Sequence, residues 1–248
     1  MRPDKAQSLF PNCVIIGTPK AGTTTLFQWL LLHPKICAAS KKETYFLSDA
    51  CHSLNEDCNI HHHGIEAYQR FFEHQQHETV RLEATPAYFR SRTALETLSS
   101  LAETPLVLIS LRDPVKQLYS QYRFDVFTQK KLSARTTFED YLSSDRGKRV
   151  QSHKHYVNYL DDWQASFGEK FKVLIFEEWI ADPERTIESI LDALSLNKVD
   201  FPFDVLAPKN KTCHVKSAFF HRTALKIREK LPGHFLRKLG EDAYNFII

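Results

Sequence analysis

Long hydrophobic runs are missing from this chain of 248 residues. The longest candidate, Leu26 to Leu32, is far short of the roughly twenty apolar residues that cross a bilayer, so no transmembrane segment is expected. Nor does any stretch have the charged, apolar and small-residue order of a secretory signal. A soluble, cytoplasmic protein is the expectation. Excess charge of one sign is missing too. Lys and Arg number 33 against 30 Asp and Glu, a net charge of +3. That balance argues against a nucleic-acid coat and leaves only local basic clusters for a small polyanion. Five cysteines leave at least one unpaired, which suits a reducing compartment better than a disulfide framework. Repeats and low-complexity tracts are absent. With 42% hydrophobic residues the chain can bury a full core, and its length fits a single α/β domain over 1–248.

One more absence is chemical. From Cys13 to Leu32 the chain reads CVIIGTPKAGTTTLFQWLLL, a buried parallel strand, a glycine-bounded loop and an apolar helix that Pro34 stops. Gly17 and Gly22 bracket four residues, the spacing of a phosphate-binding loop in which backbone N–H groups and a helix N-terminus converge on an anion. In the ATP- and GTP-binding version a lysine follows the second glycine. Here Thr23 and Thr24 follow it, and Lys20 lies inside the loop. Such a loop suits a 5′-phosphate and points away from NTP hydrolysis.

Further strands are expected at Val80–Thr85, Leu106–Leu111 and Phe171–Phe176, giving a parallel sheet with helices on both faces. Helices are expected over 64–72, 93–102 and 155–167, and from Asp182-Pro183, an N-cap followed by proline at the first helical position. One helix is expected near 138–142 within the basic stretch 127–154. Arg112 begins the loop at the carboxyl end of a central strand, where open α/β sheets bind ligands. Its planar fork suits a phosphate, and the Ser120 hydroxyl, eight residues on, can donate to the same group. Cys51, His52, Cys58 and His61 to His63 invite a zinc reading. Their spacing fits neither C-x2-C nor H-x3-H, so a surface loop or a Cys51–Cys58 disulfide is expected, with no metal and a histidine available to an acceptor.

Two segments together, GTPKAGTTTL (17–26) and LVLISLRDPVKQLYSQY (106–122), resemble the sulfotransferases that use 3′-phosphoadenosine 5′-phosphosulfate (PAPS). The likeness is greatest to the carbohydrate type, the heparan sulfate N- and 3-O-sulfotransferase domains and their bacterial relatives. Those carry counterparts of KKETYFLSD (41–49), GIEAYQRFF (64–72) and LEATPAYF (82–89), so the resemblance runs from about residue 11 to 195. It implies a P-loop-like three-layer α/β fold and sulfuryl transfer from PAPS to a hydroxyl or amine of a carbohydrate or small molecule. Adenosine 3′,5′-bisphosphate (PAP) is the product and no metal takes part. Glu43 takes the place of the general base. Pro19, Lys20, Ala21, Gly22, Thr23, Thr24 and Thr25 take the place of the 5′-phosphosulfate loop, with Lys20 also catalytic. Arg112 and Ser120 fall at the 3′-phosphate segment, and Lys209 and Lys211 in a late basic loop that closes over it. Tyr88, Arg90 and Arg92 are the acceptor-side candidates.

The departures are as informative. Ala84 stands where glycosaminoglycan-acting relatives usually carry a lysine, which favours a smaller or less anionic acceptor, with Arg90 and Arg92 near enough in sequence to substitute. Animal members are often Golgi-luminal domains behind a membrane anchor, the alternative location. Two rival functions stand beside the enzyme reading. A P-loop kinase explains the first motif but not the displaced lysine, and a non-catalytic nucleotide-binding module explains the fold but not the retention of Lys20, Glu43, Arg112 and Ser120.

Overall fold

Strands without a polar face need cover on both sides, and the chain provides it. A computed structural model describes residues 9–54, 58–153 and 155–199. Strand β1 (Cys13–Gly17) leads into helix α1 (Thr23–Leu30), β2 (Ile36–Ala38) and the short α2 (Ile60–His63). A 3₁₀ segment (Ile65–Phe72) precedes β3 (Val80–Ala84), and a 3₁₀ turn (Tyr88–Arg90) precedes α3 (Arg92–Ser100) and β4 (Leu106–Leu111). After α4 (Pro114–Arg123) come a π-helical turn (Phe124–Thr128), α5 (Phe138–Ser143) and α6 (Asp145–Ser152). The last described elements are α7 (Val157–Phe167), β5 (Phe171–Ile175), α8 (Phe176–Trp179) and α9 (Pro183–Ala193).

These elements form two compact units, in the described residues one of 9–114 with 155–199 and one of 115–153. The first holds a five-stranded parallel sheet in the order β2-β3-β1-β4-β5. Alternation along the strands sorts its two faces. Val14, Ile16, Val107 and Ile109 pack with Phe46, Tyr68, Tyr88, Leu95 and Trp163. Cys13, Ile15, Leu82, Ala84 and Leu108 pack with Leu26, Trp29, Trp179 and Ile190. Helices therefore cover both faces. Because every strand runs the same way, the segments after β1, β2, β3 and β4 all leave from one edge of the sheet.

The second unit has its own small core of Tyr122, Val126 and Tyr141. Beside it the buried Asp125 carboxylate takes the Arg146 fork at 2.8 and 3.2 Å, the Tyr141 hydroxyl at 3.0 Å and the Gln121 amide at 2.9 Å.

Three expectations are corrected. The sheet has a fifth strand, β2, whose three residues are too few for a periodic signal. Residues 65–72 form a 3₁₀ rather than an α-helix; i and i+3 eclipse in that geometry, which lays Ile65, Tyr68 and Phe71 along the core. Residues 138–152 hold two helices because Ser144, like Thr137, accepts a bond from the third residue of a new helix. Cys51 and Cys58 are free thiols. Among the described residues no cluster suits a metal ion, and no helix is long and apolar enough to cross a membrane.

The central position of Leu108, fully buried on β4, gives a quantitative expectation. Leu108→Ala should lower the unfolding free energy by about 2–5 kcal/mol in urea titration; a loss under 1 kcal/mol would mean that the sheet core can collapse around the cavity.

Candidate active site

The loop between β1 and α1 is shaped from β4. Thr18 donates to the Ser110 carbonyl oxygen twice, through its N–H at 2.9 Å and its hydroxyl at 3.0 Å. The Ser110 hydroxyl donates to the Ala21 carbonyl at 2.6 Å and accepts the Trp179 indole N–H at 2.9 Å. Arg112 Nη1 donates to the Lys20 carbonyl at 2.9 Å. Successive loop carbonyls are thus turned toward β4. In a planar trans peptide C=O and N–H point opposite ways, so the Gly22 N–H faces away from that strand.

Helix α1 then opens with no side-chain cap and no acidic residue in its first turn. Its N-terminal partial charge is left for an anion. Gly22, at φ 76°, must be glycine on two counts: the backbone is left-handed, and a Cβ would stand 2.5 Å from Trp179 and 2.8 Å from Phe176. Lys20 is left-handed as well, at φ 66°. Pro19 is exposed, Lys20 and Thr24 are half-buried, and Ala21, Thr23 and Thr25 are buried.

Arg112 joins this loop rather than standing apart from it. Its guanidinium lies 4.6 Å from the Phe176 ring centroid and 3.9 Å from the Glu177 carboxylate. The Nε atom is buried without a hydrogen-bond partner, so the contact with Glu177 is ionic only. Ser120, half-buried on α4, belongs to the second unit. Lys209 and Lys211 lie outside the described residues.

Glu43 sits in the turn after β2, pinned where its N–H donates to the Ala84 carbonyl at the end of β3, 3.0 Å away. Its carboxylate pairs with Lys42 Nζ at 2.6 Å through one oxygen and accepts the Tyr45 hydroxyl at 3.0 Å through the other. Both Glu43 and Tyr45 have positive φ, 62° and 54°. Non-glycine residues hold such values only when their surroundings insist.

The insistence comes from Thr44, fully inside. Its hydroxyl donates to Glu83 Oε1 at 3.1 Å, and Thr85 donates to the same oxygen at 2.6 Å. Tyr88 contacts Thr44 Oγ1 at 2.9 Å and accepts the Leu47 N–H at 3.1 Å. Since each hydroxyl has one proton, Tyr88 donates to Thr44. Glu83 Oε1 ends both chains. Burial drives the Glu83 carboxyl up to about 7, against the opposing bonds from Thr85 and Thr44 and the Lys42 charge.

On the acceptor side the candidates separate. Tyr88 is wholly buried, its hydroxyl committed to Thr44 and Leu47. Arg92 is exposed on α3, bonded to Glu96 at 2.7 Å and 3.8 Å from Asp162. Arg90 is half-buried and close enough to His52 to help hold that imidazole below its usual range, after burial and against Asp49. His52 in turn stacks on Tyr45 at 5.5 Å.

Sequence reasoning missed Ser110, Trp179, Lys42, Tyr45, Thr44 and Glu83. Two of them left a signal: Ser110 precedes Arg112 by two, hence shares its side of the strand, and Glu83 is a carboxylate inside a buried strand.

Comparison with known proteins places the family and the fold. The sulfotransferase domain family model matches residues 10–205. The membrane-associated sulfotransferase kil1 of Dictyostelium discoideum is 36% identical over 120 residues, 47% of this chain and 23% of that protein. Mouse heparan sulfate glucosamine 3-O-sulfotransferase 3A1 is 23% identical over 79% of this chain and 48% of its own length. For the human 3-O-sulfotransferase 6 the values are 25%, 84% and 59%. The chain thus spans between 23% and 59% of the length of these relatives. A solved sulfotransferase from Alicyclobacillus acidocaldarius superposes with a TM-score of 0.66 at 24% identity, covering 87% of this chain and 90% of that one, a likeness of fold.

The buried Glu83 has a consequence for stability. Below pH about 4.5, the ordinary carboxyl value, folded and unfolded chains both hold the proton; from there to about 7 only the folded chain does, so its contribution is lost as pH rises and levels off above 7. Glu83→Gln should remove this slope. Melting temperatures of the two proteins at pH 5 and pH 8 test it: the wild type should fall relative to the variant, and parallel curves would show an ordinary carboxyl.

Proposed function

Because the chain belongs to the sulfotransferase domain family, we propose that it transfers a sulfuryl group from PAPS to a hydroxyl or amine of an acceptor and releases PAP. The observation that carries this reading is the clamped loop. With its Lys20 and Ala21 carbonyls turned toward β4 and an uncapped, acid-free helix start behind it, it is built for an anion. The displaced lysine supports a 5′-phosphosulfate over a nucleoside triphosphate.

Bound there, PAPS would supply an activated sulfuryl group. Lys20, the N–H groups of Gly22, Thr23 and Thr24, and the hydroxyls of Thr24 and Thr25 would offset charge on the leaving 5′-phosphate oxygen, electrostatic work done without a metal. Arg112 and Ser120, with Lys209 and Lys211, are the proposed 3′-phosphate contacts. Charge-assisted bonds of this kind are worth about 1.5–3 kcal/mol each. Glu43 is the proposed general base, a role typically worth about 100- to 10,000-fold. Tyr45 and Lys42 orient its carboxylate and leave lone pairs for the acceptor proton.

For the acceptor, a carbohydrate or small molecule with fewer negative charges than heparan sulfate is the reading. Ala84 is buried and uncharged, and Arg92 is engaged by Glu96 and Asp162, which leaves Arg90 beside the Tyr45–His52 stack. A reducing, cytoplasmic setting is the proposed one, in keeping with an odd number of cysteines in the sequence. The whole of 1–248 is read as one sulfotransferase domain.

Calorimetric titration should give tight binding of PAP and weak binding of ADP; the reverse order would return the kinase reading. Lys20→Ala and Glu43→Gln should each remove most turnover, with PAP affinity nearly unchanged in Glu43→Gln, and wild-type rates in that variant would remove Glu43 as base. Arg112→Ala should weaken PAP far more than adenosine 5′-monophosphate. Equal losses would limit Arg112 to its hold on the Lys20 carbonyl.

A further inference from the structure

Glu83 is a carboxyl group with no solvent exposure, set beside the apolar Val14 of the neighbouring strand. Such a group is costly to bury and is retained where its bonds do something. Both of its accepted bonds come from residues that shape the Glu43 turn. Thr44 is the residue between Glu43 and Tyr45, and Thr85 accepts the Tyr45 N–H at 3.4 Å.

We infer that Glu83 is a positioning residue for Glu43: by fixing Thr44 and Thr85 it locks the left-handed turn in which the Tyr45 hydroxyl meets the Glu43 carboxylate. This rests on the reading of Glu43 as base. The direction of the hydrogen bonds supports it. Oε1 receives both hydroxyls, so the acid proton belongs on Oε2, which is buried with no hydrogen-bond partner. Lys42, Tyr68 and Tyr88 are the titratable groups that face this carboxyl. Of these, only Lys42 carries a positive charge, and it is already within 2.6 Å of Glu43. A neutral acid at 83 leaves Lys42 to that pair, whereas a carboxylate at 83 would compete for it.

The test measures PAP release from PAPS with a desulfated heparan oligosaccharide as acceptor probe, PAP affinity by calorimetry, and crystal structures of the variants. Glu83→Leu and Thr44→Val should each lower kcat about 100-fold, the scale of a misplaced catalytic group, while PAP affinity holds. The double variant should be no worse than either single one, because the two act through one contact. Glu83→Gln keeps an acceptor oxygen for both hydroxyls and should restore most of kcat. In crystals of Glu83→Leu the Tyr45 hydroxyl and Glu43 Oε2 should part beyond hydrogen-bonding distance. Full activity in Glu83→Leu while Glu43→Gln is inactive, or a failure of Glu83→Gln to recover, would overturn the inference. So would an unchanged 3.0 Å contact in the crystal, a result that counts even if the wild type fails on the probe. Activity retained by Glu43→Gln would instead overturn the assignment of the base.

Discussion

The hold of β4 on the glycine-bounded loop is the constraint from which the rest of the site follows. Without a lysine after Gly22, the loop relies on its backbone. Backbone groups point usefully only if their partners are tied down, and Ser110 and Arg112 do the tying from alternate positions at the end of one strand. Trp179 secures Ser110 from behind and, with Phe176, fills the space a side chain at position 22 would need. The floor of the loop is therefore aromatic and, at Trp179 and Ser110, buried, where directed dipoles act more strongly than in water.

A parallel sheet makes the second half of the site possible at little extra cost. The turn after β2 and the end of β3 leave from the same edge as the loop after β1, so a carboxylate on the β2 turn needs only local fixing. That fixing is polar and internal: a chain of hydroxyls runs from the Leu47 N–H through Tyr88 and Thr44 to Glu83. Each hydroxyl of this chain has its bond, which stiffens such a network, while Glu83 Oε2 at its end has none.

How far the sequence could be read follows from what kind of signal each part leaves. Near-continuous apolar runs announced β1 and β4, which are buried along their whole length, whereas β3 and β5 showed through their apolar residues despite Arg81, Glu83 and Lys172. Asp182-Pro183 announced α9 because a cap and a fixed φ are local properties. The three residues of β2 and the 3₁₀ form of 65–72 depend on what packs against them and had no local signature. The same division runs through the site. Lys20, Gly22, Glu43 and Arg112 stood out by motif, while the sequence offered Tyr88 and Arg92 alike as acceptor-side candidates and did not show that the first is buried and the second exposed in ion pairs. Glu83 was visible as a charge in a buried strand, but its link to Glu43 needs three dimensions, since forty residues separate them.

The left-handed pair around Thr44 also limits how this protein can vary. At φ near 60° only glycine, asparagine and aspartate sit with ease. From Glu43 the conformationally easy exchanges are therefore aspartate, one methylene shorter, and asparagine, which cannot take up a proton. β-Branched residues are shut out. On the proposed reading of Glu43 as base, the geometry of this turn narrows exchange at the position to side chains that reach less far or take up no proton.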